Sequence, residues 1–267
     1  MIPERAPTVR ELLAFYLEAG VDCALAEEPV DRLAELDAPP PAPRAAPVEA
    51  PRPVAAPAAM RGEVAPAPDV AIASAREAAR TAPTLEALRE LMQNFEGCAL
   101  KHTATRLVFA DGNPQARIMF VGEAPGRDED IEGLPFVGRS GKLLDLMIGA
   151  IGLNRTTAYI TNVIPWRPPG NRTPTPQETQ ICLPFIQRHI ELVNPDVLVT
   201  LGNPSTQTLL STREGIMRTR GRWFDYDTGQ RTIRALATFH PAYLLRSPSY
   251  KRLAWQDLRA IAKVLAG

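Results

Sequence analysis

The chain has few cysteines and no long apolar run. Its 267 residues include three cysteines, at the scattered positions 23, 98 and 182. An odd, scattered set does not predict a disulfide framework, and it favours a cytoplasmic protein. No apolar stretch approaches the roughly 20 residues needed to cross a bilayer. No basic segment followed by an apolar one opens the chain, so we expect neither secretion nor a membrane anchor.

Net charge is also absent, since 30 basic residues balance 30 acidic ones. The net charge therefore predicts no general attraction to nucleic acid, but the basic residues are not evenly distributed along the chain. Ten basic residues lie in or beside the loops assigned below to one edge of the fold: Arg139, Lys142, Arg167, Arg172, Arg218, Arg220, Arg222, Arg246, Lys251 and Arg252. A neutral chain with a basic working face is compatible with phosphate contacts.

Composition divides the chain into three parts. Residues 1–36 carry helical signals, but this arm is too short to bury a core of its own. Residues 37–70 are rich in proline and alanine, which predicts an extended linker. Residues 71–267 form the main domain. We expect the arm to dock on that domain or to be disordered, and the alternative is a tether to a partner.

Apolar runs alternate with amphipathic stretches along the main domain. Core strands are predicted at 116–121, 158–163 and 196–201, an edge strand at 103–109, and a final pair at 222–226 and 231–239. Helices are predicted at 71–94, 140–152, 175–192, 203–211 and 249–265. Strands that alternate with helices indicate an α/β fold with a parallel sheet covered on both faces. The loops after the strands then converge on one edge, where open α/β sheets bind ligands.

The loop after the first core strand, residues 121–138, is the most distinctive stretch. Its glycines and prolines shape it, because glycine reaches backbone angles that other residues cannot and proline fixes its own. Glu123 directly follows the strand, and Phe136 lies between proline and small residues. A carboxylate beside an aromatic ring suits a site that handles a nucleobase. The alternative is a solvated acidic loop whose Phe136 fills the core.

Two other strand ends bring polar side chains to the same edge. Asn162 ends the second core strand, and His240 follows the last strand. An amide can pair with the edge of a pyrimidine, a histidine can donate to an oxygen that gains negative charge, and a carboxylate can orient water. N-glycosidic cleavage requires these groups, and a base in a duplex must first be flipped out. Taken singly, Asn162 could cap a turn and His240 could be a turn histidine, so the shared edge carries the prediction.

Five ordered motifs extend this pattern over roughly residues 91–265. They are Gly-Glu-Ala-Pro-Gly at 122–126, Pro-Phe-Val-Gly at 135–138, Tyr-Ile-Thr-Asn at 159–162, Arg-Pro-Pro-Gly-Asn-Arg at 167–172 and His-Pro-Ala-Tyr-Leu-Leu at 240–245. Together they closely resemble the family 4 uracil-DNA glycosylases. The resemblance implies the uracil-DNA glycosylase fold, with a central four-stranded parallel sheet between helices. It also implies a monofunctional hydrolysis in base excision repair, which frees uracil and leaves an abasic site. The implied partners are single- or double-stranded DNA containing uracil, bound by a monomer near the nucleoid.

The resemblance also implies residue roles. Phe136 stacks on uracil, and Asn162 reads the edge of the base and rejects cytosine. The implied catalytic residues are Asn162, His240 and Glu123. His240 stabilises the departing uracil anion, and Glu123 positions or activates water. The implied uracil-binding residues are Gly122, Glu123, Ala124, Phe136, Asn162 and His240, and the implied DNA contacts are Asn171, Arg172, Tyr243, Leu244, Leu245 and Arg246. Either Leu244 or Leu245 is the wedge that fills the gap left by the flipped base.

The chain departs from the family at its metal. Family 4 enzymes typically hold an iron–sulfur cluster on four cysteines. This chain has cysteines at only two of those four positions, Cys98 and Cys182. Phe95 and Trp166 stand at the other two positions, and Cys23 lies beyond the linker. Two thiolates do not hold a four-iron cluster. We therefore predict a branch without metal or cofactor, in which packing of the two bulky residues replaces the cluster.

A further branch of the superfamily traps abasic DNA through a histidine in an insertion after the proline-rich loop. Here residues 171–174 lead directly into the predicted helix, so the sequence shows no such insertion after this loop.

Three alternatives stay open. The main domain could bind uracil or abasic DNA without catalysis, and residues 1–70 could be an interaction tail. The glycines at 122 and 126 could instead cradle a phosphate at a helix start, although the phosphate-binding spacings GxxxxGK[ST] and GxGxxG are lacking. The carboxylate that handles water is Glu123 or one of Asp128, Glu129 and Asp130.

Overall fold

The computed structural model describes residues 68–266. The arm predicted at 1–36 and nearly all of the linker predicted at 37–70 lie outside the described residues. Within the described residues the first helix begins at Pro68, so the last three residues of the predicted linker are helical.

A single six-stranded sheet forms the centre of the described residues. Its strands are β1 (Asp111–Gly112), β2 (Ile118–Gly122), β3 (Tyr159–Asn162), β4 (Val197–Leu201), β5 (Trp223–Asp227) and β6 (Thr232–Thr238). Their order across the sheet is β1-β3-β2-β4-β6-β5. The four central strands are parallel and the two outer ones antiparallel. The predicted α/β fold with four central parallel strands is confirmed, and an antiparallel strand flanks each side.

Helices cover both faces of this sheet. They are α1 (Pro68–Thr81), α2 (Leu85–Asn94), α3 (Leu100–Thr103), α4 (Arg127–Glu132), α5 (Arg139–Gly149), α6 (Pro176–Val193), α7 (Asn203–Leu209), α8 (Ile216–Thr219), α9 (Pro241–Arg246) and α10 (Lys251–Ala266). Helices α1, α2 and α6 pack on one face, and α5 and α10 on the other. Strand β2 serves both cores, because Met119 and Val121 point to one face while Ile118 and Phe120 point to the other.

The helix predicted at 71–94 is two helices, separated at the residues before Leu85. Thr84 caps the second of them, where its side chain accepts a hydrogen bond from the Ala87 N–H at 3.2 Å. A side-chain cap of this kind satisfies one of the free N–H groups at a helix start. The four short helices α3, α4, α8 and α9 have no counterpart among the predicted elements.

The edge strand predicted at 103–109 is wrong. The N–H groups of Thr105 and Arg106 donate to the carboxylate of Asp130, at 2.7 and 3.2 Å. They are therefore not available for hydrogen bonds to a neighbouring strand. The Val108 N–H donates to the Pro165 carbonyl in a loop. Of residues 103–112, only Asp111 and Gly112 pair with β3. A carboxylate distant in sequence therefore decides the path of this segment.

None of the helices between residues 68 and 266 combines the length and the apolar character that a bilayer span requires.

The register of the sheet aligns the strand ends that bear the predicted site. Gly122 at the end of β2 lies opposite Asn162 at the end of β3. Leu201 at the end of β4 lies opposite Thr238 at the end of β6, two residues before His240. Loops from four parallel strands therefore leave the same edge.

Candidate active site

A cavity of about 350 Å³ opens at the carboxyl edge of the sheet. It brings together Glu123 and Phe136 from the loop after β2, Asn162 from the end of β3 and His240 from the end of β6. Its wall also includes Ala124, Asn171, Arg172 and Arg246 from the predicted set. The convergence expected from parallel strands is thus present in the folded chain.

Phe136 is buried and has an unusual backbone. Its φ of 55° lies in the left-handed region, which costs a non-glycine residue about 1–3 kcal/mol and persists only where surrounding contacts enforce it. Its ring lies 5.5 Å from the imidazole of His240, centroid to centroid, at an interplanar angle of 30°. A Cβ atom at position 122 would approach this ring to 2.6 Å, so Gly122 is needed for the ring to sit against β2.

Asn162 carries a buried acceptor without a donor. Its side chain is 4% exposed, and Oδ1 accepts no hydrogen bond from any residue between 68 and 266. A buried polar atom left unpaired costs about 1–3 kcal/mol. Gly122 again makes room, because a Cβ there would collide with this oxygen. A buried, unpaired amide oxygen in a cavity wall is a feature that a ligand with a donor group satisfies.

His240 is held in a single neutral tautomer by the start of α9. Its Nδ1 accepts a hydrogen bond from the Ala242 N–H at 3.1 Å, so the proton of the neutral ring is on Nε2. Burial, and to a smaller extent the positive charge of Arg246, lowers the pKa of His240 to about 4. At neutral pH the ring is therefore an uncharged donor through Nε2–H.

Glu123 is half-buried between two cavities. It lines the main cavity and also a smaller neighbouring one of about 50 Å³. Burial raises the pKa of Glu123 above that of an ordinary glutamate. Raising the pKa makes the ionised carboxylate a better proton acceptor.

The acidic cluster after Glu123 is mainly structural. Glu129 accepts hydrogen bonds from the N–H groups of Gly126, Val137 and Gly138, at 3.0 to 3.1 Å. Asp130 accepts from Thr105 and its neighbour, as described above. Of the four acidic residues considered for handling water, these two are buried and occupied by backbone donors, which favours Glu123. The position of Glu129, three residues after Gly126 at a helix start, was a sequence signal for this role.

The two leucines considered as wedge lie in different environments. Leu244 is 1% exposed and packs in the core, whereas Leu245 is 37% exposed. The reason is helical geometry, since successive residues of α9 point about 100° apart. The prediction of Leu244 as a DNA contact is therefore wrong, because its side chain lies in the core. Of the two leucines considered as the wedge, Leu245 is the exposed one. Tyr243 is half-buried, and its ring stacks on that of Phe239 at 5.4 Å.

The proline-rich loop is tied down by its own polar residues. Arg172 donates to Glu178 at 2.8 Å, and Glu178 also accepts from the Thr175 N–H at the start of α6. Asn171 accepts from Arg167 Nε at 2.7 Å. Both Asn171 and Arg172 remain exposed at the cavity wall. They therefore form part of the cavity wall and also brace the loop.

The family's cluster positions lie together in the core next to α6. Phe95, Cys98, Trp166 and Cys182 are all buried in one apolar cluster. Phe95 packs edge-on against Phe185, with centroids 5.0 Å apart. The Cys98 thiol contacts that of Cys182, which lowers the pKa of Cys98 and raises that of Cys182. Two thiols and two aromatic side chains do not fit a four-iron cluster, which needs four ligands.

Comparisons with known proteins agree in the same region. A family model described as the uracil DNA glycosylase superfamily matches residues 109–259. The chain is 39% identical over 181 residues to the type-4 uracil-DNA glycosylase of Archaeoglobus fulgidus, which is 66% of this chain and 90% of that protein. It is 40% identical over 177 residues to the type-4 uracil-DNA glycosylase of Thermotoga maritima, which is 65% of this chain and 91% of that protein. A DNA polymerase of Bacillus phage SP01 is 28% identical over 169 residues, which is 18% of the polymerase.

Proposed function

The chain belongs to the uracil-DNA glycosylase superfamily, and from this premise we propose that it excises uracil from DNA. The reaction is hydrolysis of the N-glycosidic bond, which releases free uracil and leaves an abasic site. The substrate base enters the cavity at the carboxyl edge of the sheet after flipping out of the DNA, because its glycosidic bond is not accessible inside a base stack.

The observation that carries the proposal is the unpaired Oδ1 of Asn162 inside that cavity. Uracil offers an N3–H donor next to an O4 acceptor, and one side-chain amide complements both. Cytosine presents an acceptor at N3 and a donor at N4, so the same amide opposes it. A buried site that hydrogen-bonds its substrate rejects an analogue with mismatched polar groups, because those groups are left unpaired. The ring of Phe136 stacks on the face of the base.

His240 acts on the leaving group in the proposed mechanism. As the bond between N1 and C1′ breaks, its electron pair passes into the uracil ring and negative charge develops on O2. The Nε2–H of neutral His240 donates to that oxygen. A fixed donor aimed at developing charge in a buried site is among the largest contributions an enzyme makes to a rate. The low pKa of His240 keeps the ring from protonating at neutral pH.

Glu123 acts on water. The water oxygen forms a bond to C1′ while one water proton passes to the carboxylate of Glu123. Glu123 thereby loses its negative charge as the departing uracil gains one, so the total charge is unchanged. The raised pKa of Glu123 suits it to accept that proton. These steps use side chains alone and require no metal.

DNA contacts in the proposed complex come from the wall of the cavity. Arg246 lines the cavity and is exposed. In the proposed complex its exposed neighbour Leu245 fills the space left by the flipped nucleotide. Arg172 and Asn171 contribute polar groups from the opposite loop.

The test uses the full chain, with EDTA present, on end-labelled single- and double-stranded oligonucleotides that contain one uracil. We expect strand cleavage at that position after alkali treatment and none where thymine replaces uracil. His240→Ala should lower the rate by about 10²–10³-fold, as loss of one such donor does. His102→Ala is the matched control, because His102 is an exposed histidine outside the cavity, and its rate should not change. Binding without base release would overturn the catalytic proposal in favour of a uracil-binding module.

A further inference from the structure

The carbonyl groups around Phe136 are held by an arginine that no motif singled out. Arg155, in the turn before β3, donates from Nη1 to the Pro135 carbonyl at 3.1 Å and from Nη2 to the Phe136 carbonyl. Two carboxylates orient the guanidinium, since Nη1 also donates to Asp111 at 2.6 Å and Nε donates to Asp145 at 2.9 Å. The planar fork of arginine is suited to holding several acceptors at fixed angles.

The amide groups on the other side of Phe136 are held by Glu129. One carboxylate oxygen accepts from both Val137 and Gly138, and the other accepts from Gly126. Glu129 therefore joins the part of this loop that follows Glu123 to the part that follows Phe136. Together with Arg155 it fixes the peptide groups on both sides of a residue whose φ is 55°.

The packing of α5 completes this support. A Cβ atom at position 141 would overlap the Phe136 carbonyl, so Gly141 allows α5 to lie directly against the backbone of Phe136. The segment is thus enclosed by the helix, Arg155 and Glu129. An unfavourable backbone conformation persists where its surroundings determine it in this way.

We propose that Arg155 is a positioning residue that fixes the Phe136 ring for stacking on uracil, with Glu129 as its counterpart across the segment. Arg155 does not line the cavity, so in this proposal it acts only through Phe136. This inference rests on the proposed function, because it assigns the ring a base to stack on.

The first test compares Arg155→Gln with a matched arginine elsewhere. Arg231 also donates to two backbone carbonyls and a carboxylate, but it directly precedes β6 and its partners precede β4, so it lies at the opposite end of the sheet from the cavity. Both substitutions to Gln should lower the unfolding temperature. Only Arg155→Gln should weaken inhibition by free uracil and lower kcat/KM, each by on the order of tenfold, because a displaced group forfeits alignment with the substrate. Arg155→Lys, which keeps the charge but not the fork, should be intermediate.

The second test is a double-mutant cycle with Phe136→Ala. If Arg155 acts through the ring, Arg155→Gln should change kcat/KM by less than about twofold in the Phe136→Ala background, where the ring is already gone. A full, additive effect in that background would overturn the proposal. So would an inhibition constant for free uracil that is the same in Arg155→Gln as in the wild type.

The wild-type chain separates this inference from the proposed function. Release of uracil by the wild type, with unaltered uracil inhibition in both Arg155 variants, overturns the positioning role alone. A wild type that neither releases uracil nor binds it in calorimetry overturns both.

Discussion

At the scale of single residues, two ionisable groups in the cavity are shifted by burial in opposite senses. Burial disfavours the charged form of each, so it lowers the pKa of His240 to about 4 and raises that of Glu123. The proposed reaction needs His240 neutral and Glu123 ionised. Both forms dominate above the respective pKa values, so both requirements are met at neutral pH and both fail on acidification.

The acid limb of the pH–rate profile should therefore belong to Glu123. As the pH falls, the group with the higher pKa is protonated first, and burial places Glu123 above His240. We expect kcat/KM to decline below neutrality through the raised pKa of Glu123. Glu123→Gln should lower the rate by about 10²–10⁴-fold, as loss of a general base does, and should abolish that limb. An unchanged limb in Glu123→Gln would assign the titration to another group.

Base choice should depend on Asn162. In Asn162→Asp, a protonated carboxyl can donate to N3 of cytosine and accept from its amino group, so discrimination should relax and cytosine release should become measurable. The control is Asn203→Asp, because Asn203 has the other buried amide oxygen without a partner among residues 68–266 but does not line the cavity. The assay is release of labelled base from matched oligonucleotides. Unchanged base preference in Asn162→Asp would remove Asn162 from recognition.

At the scale of elements, the order of strands and helices could be predicted, and with it the edge where the site lies. Apolar runs that end at Gly122 and Asn162 and before His240 indicated parallel strands, and parallel strands align their ends. The segment 103–109 was misread because its composition suits a strand, whereas Asp130, far along the chain, binds its N–H groups. Contacts of this kind depend on the finished fold.

The support of Phe136 could not be predicted for the same reason. Arg155 lies 19 residues after Phe136, in a polar turn that resembles any exposed turn in sequence. Its partners, Asp111 and Asp145, come from a strand and a helix that meet only after folding. The burial of Leu244 beside exposed Leu245 likewise depends on where α9 begins, and a shift of one residue would exchange them.

The core beside α6 leads to a prediction about metal. Because Phe95 and Trp166 fill two of the four cluster positions, the purified chain should contain no stoichiometric iron by elemental analysis. The double variant Cys98→Ala with Cys182→Ala should fold and release uracil at the wild-type rate. Trp166→Ala should lower the free energy of unfolding by about 3–5 kcal/mol, since it leaves a large cavity in a packed core. Iron near four atoms per chain, or activity lost with the two thiols, would contradict this account.

At the scale of the whole molecule, a neutral chain presents a basic rim around the cavity. Arg127, Arg139, Lys142 and Arg246 are exposed on the segments that frame it. The acidic residues nearest to the cavity include Glu129, which is buried and directed at backbone donors. Phosphate contacts made by this rim should appear as a salt-dependent affinity.

Arg246 offers the sharpest test of that rim, because it lines the cavity and its effect on the pKa of His240 is known in direction. Arg246→Gln should weaken DNA binding at low salt and reduce the slope of log affinity against log salt by about 1, the loss of a single phosphate contact. The same change removes a positive charge that lowers the pKa of His240, but burial is the larger cause, so the ring should stay neutral at pH 7. Raised KM with little change in kcat is thus expected. Arg117→Gln is the control, since Arg117 is exposed and paired with Asp196 at the opposite edge of the sheet. A salt slope that falls equally in both variants would mean that DNA is attracted by the whole surface and not by the rim.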